Sequence, residues 1–494
     1  MTDTAPLPAL HPTTPSERRS LWIAVAVYVA LSIWMAIASH GFLEADGITH
    51  YLLRRFAFHQ PLNLVGVWGR PLCVLLYAIP SGFGGLIGTR LMSLALVLVM
   101  AALTFHATRR TNVARPVFAV LFLLTQPLLF AHSFSELTEV PFATLMIGMF
   151  IAYERRWFAL LAVLAAIAPL GRPEGFGLLV VTGAALLLHR RWIDVLILPL
   201  GLIAWSYAGW RVFGGPHEYA WYQWLQHNWP YSPDSMYGSG SLLRFVGVLP
   251  AVTGPIGFGF LWIGFWQLLK SPLKGFIRRW TSDHAFRCRT LVALVPLGVL
   301  VIHSILWRLG KMASNGEPRY MLIAAPFWAM AAASGLEWCV ERFRWRSLGA
   351  LFILAGALPI AANIAYPAFP LKAQDDDRLA ADIARWMKDH PQTVHDYPRL
   401  AAAMPHVMML LDRDRLNSAQ CCDWSKTVVA NPPPGVLMVF DPVYSQFNSN
   451  TEYCISEKLL LEHGWRRVAT INEGGKTASV YLSPLPSPGT PGEG

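Results

Sequence analysis

The charged and polar residues that could do chemistry in this chain fall into a few short segments. The segment LEADGITHYLLRR holds Glu44, Asp46, His50, Tyr51, Arg54 and Arg55. WGRP holds Arg70, HSFSELTEVPF holds Glu136 and Glu139, GRPEG holds Arg172 and Glu174, and GKMASNGEPRY holds Lys311, Glu317 and Arg319. A hydroxyl is a weak nucleophile, and a carboxylate within hydrogen-bond reach takes its proton during attack, so Asp46 is the candidate general base. The alternative is that Asp46 is the N-cap of a helix whose apolar positions Ile48, Leu52, Leu53 and Phe56 lay it along a membrane surface. Glu44, His50 and Tyr51 are candidate acceptor or cavity residues. Arg70, Arg172, Lys311 and Arg319 are candidate phosphate ligands, arginine by paired hydrogen bonds and lysine as a point charge. Arg319 beside Tyr320 also suits an interfacial anchor. Arg172 with Glu174 also suits an ion pair that closes a turn. Glu139, Glu174 and Glu317 are further cavity residues, and Glu136, near Ser135 and Thr138, suits helix capping.

Other chemistries find less support. The 15 histidines and 6 cysteines form no HExxH, CxxC or zinc-ligand spacing, so no metal or cofactor is predicted. A bridge from Cys454 to Cys421 or Cys422 is conceivable. The aromatic segment HEYAWYQWLQHNWPY could stack on sugars, but Trp and Tyr also gather at bilayer interfaces.

The elements that must position these residues are membrane spans. Of 494 residues, 54% are hydrophobic and 14% charged, against about 25% charged in a soluble domain. The expected fold class is an all-α polytopic membrane protein with a small C-terminal α/β extracytoplasmic domain. Uncharged runs at 21–39, 85–107, 116–133, 138–153, 157–170, 175–188, 192–212, 242–269, 290–307, 319–337 and 347–366 read as about eleven transmembrane helices. Arginine and lysine collect in alternate connections, which places those connections and the N-terminus in the cytoplasm. The net charge of +10 is then a matter of topology, and nucleic acid is not implied. Both flanks of 157–189 are basic, so this stretch reads as a hairpin whose arms of about 14 residues reach roughly 21 Å each. The residues of interest then share one outward-facing polar cavity.

The expected divisions are a disordered cytoplasmic N-terminus at 1–20 and a transmembrane domain at 21–369 with outer loops 40–84 and 213–241. An extracytoplasmic α/β domain follows at 370–482, then a disordered tail at 483–494. Within the α/β domain, a helix carrying Leu379, Ile383, Trp386 and Met387 precedes a strand at 436–440, a helix near 457–463 and a strand at 478–482.

In order and in common sidedness, Asp46 to Tyr51, Trp68-Gly69-Arg70-Pro71, Thr138-Glu139-Val140-Pro141, Gly171-Arg172-Pro173-Glu174-Gly175 and Glu317-Pro318-Arg319-Tyr320 resemble the GT-C superfamily of membrane glycosyltransferases. That group includes protein O-mannosyl, GPI-anchor mannosyl and aminoarabinose transferases. The resemblance implies a polyprenyl-phosphate-linked sugar as donor, Asp46 as base, Arg319 and neighbouring cations on the lipid phosphate, and transfer on the outer face of a bacterial inner membrane to an acceptor of unknown identity. Many members pair two acids in the first loop, whereas Gly47 follows Asp46 here. The competing class is a transporter, lipid flippase or polysaccharide polymerase, which usually binds its substrate at mid-bilayer on broken helices.

Overall fold

The computed structural model describes residues 14–213, 218–231, 233–270, 273–343, 358–365, 369–446 and 452–484. The expected disordered stretches fall largely outside these residues. Pro15 to Ser20, however, already belong to the helix Pro15–Ala38. The chain divides into two compact units, one of Met1–Ala38 with Val65–Pro370 and one of Ser39–Leu64 with Leu371–Gly494. The expected outer loop 40–84 is therefore not one element. Its first part joins the C-terminal unit, and Pro71 onward is helical within Pro71–Thr111.

The first unit is all helical. Among the described residues, five helices are long and apolar enough to cross a membrane: Pro15–Ala38, Pro71–Thr111, Trp192–Val212, His284–Leu309 and Pro318–Phe343. A sixth span is the pair Arg244–Thr253 and Pro255–Leu269, bent by 115°. The protein is thus an integral membrane protein, and among the described residues six of the eleven expected runs form a helix or a bent helix pair of this length, the others being broken, shorter or mostly outside the described residues. The 116–133 run splits into Pro116–Leu124 and Pro127–His132, because Pro127 supplies no N–H to continue the helix. The 242–269 run bends at Gly254 before Pro255. The 138–153 run forms Glu139–Glu154, of 16 residues. The hairpin arms are short, as expected, at Phe158–Ile167 and Gly175–Leu188. The last expected span, 347–366, lies mostly outside the described residues, which resume at Leu358–Ala365.

Small residues let these helices approach. A Cβ on Gly264 would lie 1.8 Å from the Ala331 carbonyl oxygen, and one on Gly335 would lie 2.0 Å from that of Phe260. Pro255–Leu269 and Ala325–Phe343 therefore pack backbone to backbone. In lipid, where apolar burial between helices gives little driving force, such close van der Waals contact is what holds helices together.

The second unit carries a four-stranded sheet of order β1-β2-β4-β3, with β1 Arg399–Ala402, β2 Val436–Phe440, β3 Arg466–Glu473 and β4 Lys476–Leu482. β1 runs parallel to β2, and the other pairs are antiparallel. Every residue of β2 is buried, as befits a strand paired on both edges. Met438, Phe440, Tyr481, Trp424 and Trp465 form its core. The helix Asp375–Asp389 buries Leu379, Ile383 and Met387, the face that its periodicity marks out.

Candidate active site

Three helices of the first unit carry residues of interest at their N-terminal ends. Arg70 is the N-cap of Pro71–Thr111, Glu139 opens Glu139–Glu154, and Glu174 is the N-cap of Gly175–Leu188. The C-terminal ends carry Arg109 with Arg110, Arg155 and His189. The acidic and polar cluster residues and these basic residues thus sit at opposite ends of the same helices, roughly 24 Å apart along the 16 residues of Glu139–Glu154.

Thr138 is the hub of the cluster. Its hydroxyl accepts hydrogen bonds from the guanidinium groups of both Arg70 and Arg172, the latter at 3.0 Å. Arg172 also donates to Glu139 at 2.5 Å, and to both oxygens of Glu174 at 3.1 and 3.2 Å through Nε. His303 approaches Glu174 at 3.6 Å. Arg319 pairs with Glu317 and lies 4.0 Å from Glu139. Glu317 also accepts from Asn315, whose carbonyl takes the Tyr320 hydroxyl at 2.6 Å. Tyr320 stacks on His303 with centroids 5.1 Å apart. Thr138, Glu139 and Arg172 are almost wholly buried, so the network holds its charges out of solvent by pairing them.

Three arginines face three glutamates in this cluster, and the pairing is uneven. Arg172 touches Glu139 and Glu174, and Arg319 pairs with Glu317 and lies 4.0 Å from Glu139. Among the described residues no carboxylate lies within ion-pair distance of Arg70, which instead hydrogen-bonds the hydroxyls of Thr138 and Tyr231, the latter at 3.2 Å. The buried Arg70 Nε and Glu139 Oε2 have no hydrogen-bond partner among the described residues. Arg70 also holds a left-handed backbone, φ 60°, a conformation uncommon in a residue with a side chain. Of the three arginines, Arg70 is the one that can meet an anion without giving up an ion pair.

The fourth expected cation does not join them. Lys311 pairs with Asp234, and both side chains are exposed. For Arg172, the reading of an ion pair that closes the hairpin tip agrees with its contacts to Glu174. Glu136 does not cap a helix. It is buried against Arg90, which donates to it at 2.6 Å and also to the Ala36 carbonyl at 3.2 Å. A lone arginine inside an apolar run signals such a partner, because an unpaired charge at that depth is costly. The roles of Thr138, Tyr231, His303 and Asn315 in the network went unread in the sequence. Of these, only His303, a histidine inside the apolar 290–307 run, carried a signal of its own.

In the second unit, Asp46 stands in the first turn of the helix Ala45–Arg55, and Glu44 is the N-cap. The capping alternative for Asp46 is thereby corrected by two positions. An acid in the first turn still complements the helix dipole. Asp46 and Glu44 are half-buried, while His50 and Tyr51 are buried. All six cysteines are free thiols, and burial pushes Cys421 up to about 12. Among the described residues no three His, Cys, Asp or Glu side chains are grouped to hold a metal ion.

The first unit has the helices of a polytopic membrane fold, and the second is a small α/β unit that also holds the Asp46 helix. The chain is similar to the solved structure of ArnT from Cupriavidus metallidurans bound to undecaprenyl phosphate, with TM-score 0.58 and 14% identity over 94% of this chain and 98% of that one. No family model and no curated protein matches the sequence. The likeness establishes the fold, and it agrees with the resemblance that the ordered motifs carry.

Proposed function

We propose that the protein transfers a sugar, a hexose or pentose such as mannose, from a polyprenyl-phosphate carrier to a hydroxyl of a lipid, glycan or protein on the outer face of the membrane. Asp46 accepts the acceptor's proton as its oxygen bonds to the anomeric carbon. The bond from that carbon to the phosphate oxygen breaks, and the polyprenyl phosphate leaves with the electron pair. Arg70 and Arg319 stabilise the charge that develops on the leaving phosphate. With the base opposite the departing group, a single displacement inverts the anomeric centre, by analogy with inverting glycosidases. Arg172 keeps Glu139 and Glu174 in place.

The observation that carries this reading is a cluster of one buried and two half-buried arginines, of which Arg70 has no carboxylate within ion-pair distance among the described residues, in a fold shared with a protein solved with undecaprenyl phosphate bound. A lipid-borne donor also accounts for a catalytic protein that is mostly membrane helices, since a soluble nucleotide sugar needs no access from the bilayer. The test is mass spectrometry of lipid-linked sugars in cells lacking the protein, where the donor should accumulate. Purified Asp46→Asn protein should lose transfer by about 10²- to 10⁴-fold while folding normally. Unchanged turnover would remove Asp46 from the mechanism.

A further inference from the structure

We propose that the C-terminal domain carries the Asp46 helix as one of its own elements, and that Arg55 and Asp412 are positioning residues for the base. The proposal rests on the reading of Asp46 as base. Both ends of the Ser39–Leu64 segment are tied to the domain. At its start, the backbone N–H groups of His40 and Gly41 donate to the Leu371 carbonyl at 2.9 and 3.1 Å, and Leu371 N–H donates to the Ser39 hydroxyl at 3.0 Å. A Cβ on Gly41 would lie 2.1 Å from the Lys372 carbonyl oxygen, so the two chain segments are in backbone contact. At its end, the buried Asn63 donates to the Phe56 carbonyl at 3.1 Å and stands beside the Asp414 carboxylate.

Between these ties the helix Ala45–Arg55 packs on the helix Pro405–Leu410. At its last residue, Arg55 grips Asp412 with both arms of its fork, Nε to Oδ1 at 3.2 Å and Nη2 to Oδ2 at 3.1 Å. Asp412 presents this carboxylate from a left-handed backbone, φ 49°, a conformation that aspartate tolerates better than most residues. Asp46 and Arg55 are nine residues apart on one helix, about 14 Å along its axis, so a tilt of roughly 10° about one end moves the other by about 2 Å. A misplacement of about 1 Å can cost a reaction about 10²-fold. The partly exposed pair adds little to global stability, so its loss acts on the placement of the helix more than on the fold.

The test uses the full-length protein in detergent or lipid. Arg55→Ala and Asp412→Ala should each lower kcat at least tenfold with KM for the donor unchanged. Arg55→Lys, which keeps a cation for Asp412 and leaves that backbone unchanged, should recover much of the loss. Single variants with wild-type kcat, or Arg55→Lys as impaired as Arg55→Ala, would overturn the proposal. Wild-type protein inactive with every polyprenyl-phosphate sugar would defeat the transferase reading instead. Hydrogen exchange then decides the docking: faster exchange of the 45–55 amides in Asp412→Ala supports it, and unchanged exchange overturns it.

Discussion

Two arginines that share one threonine should fail in different ways when replaced. In Arg172→Gln, Glu139 loses its 2.5 Å partner and Glu174 loses its fork, leaving buried carboxylates with Arg319 at 4.0 Å and His303 at 3.6 Å. Breaking a buried pair by removing one partner costs about 3–5 kcal/mol, a large fraction of a protein's stability. Arg70→Gln orphans no carboxylate. It gives up hydrogen bonds to two hydroxyls, and its backbone strain persists with either side chain. If Arg70 meets the donor phosphate, the variant loses a charge-assisted hydrogen bond of about 1.5–3 kcal/mol, which weakens binding by about 10- to 150-fold. Thermal unfolding of the two purified variants, with titration of undecaprenyl phosphate into each, separates the effects. Arg70→Gln should melt near wild type and bind the lipid poorly, and Arg172→Gln should melt much earlier. Equal loss of stability in the two variants, or unchanged lipid affinity in Arg70→Gln, would refute the assignment.

Other outcomes follow from single contacts. Arg319→Ala should weaken donor binding in the same titration, and unaltered affinity would leave Arg319 as an interfacial anchor. Gly335→Leu should prevent assembly of the first unit, read as loss of monodisperse protein on size exclusion, because a side chain there runs into the Phe260 carbonyl. Burial holds the His406 imidazole below its ordinary range despite Asp377 at 3.6 Å and the nearby Asp376 and Asp441. A histidine with a depressed folded pKa is protonated first in the unfolded chain, so stability should fall as pH drops below about 6.5. His406→Gln should flatten that fall in a pH series of melting curves, and an unchanged slope would assign it to other groups.

The parts of the fold legible in the sequence are those where one physical signal dominates. β2 is a short run of buried β-formers and was readable residue for residue, and the helix after Asp375 was readable by its face of Leu379, Ile383 and Met387, although Trp386, expected on the same face, is only half-buried. β3 was not, since Arg466–Glu473 is a half-exposed edge strand with mixed polarity, and β1 is too short to show alternation. The 116–133 and 242–269 runs read as continuous because hydropathy sums through the breaks at Pro127 and Gly254, where the backbone turns without any loss of apolar character. In the site, the charged members were visible as costly residues within an apolar chain. Which charge meets which was not, and Lys311 illustrates why: its exposed partner Asp234 is 77 residues away in sequence, and only the fold brings the two together.

The C-terminal unit is assembled from two stretches separated by roughly 300 residues of membrane helices. At a synthesis rate of about 5–20 residues per second, Ser39–Leu64 waits about 15–60 s for its docking partners to emerge. During that interval the segment bearing Asp46 has no completed unit to fold onto. On the proposed reading, the base is therefore held in place only after the chain beyond Leu371 has been made.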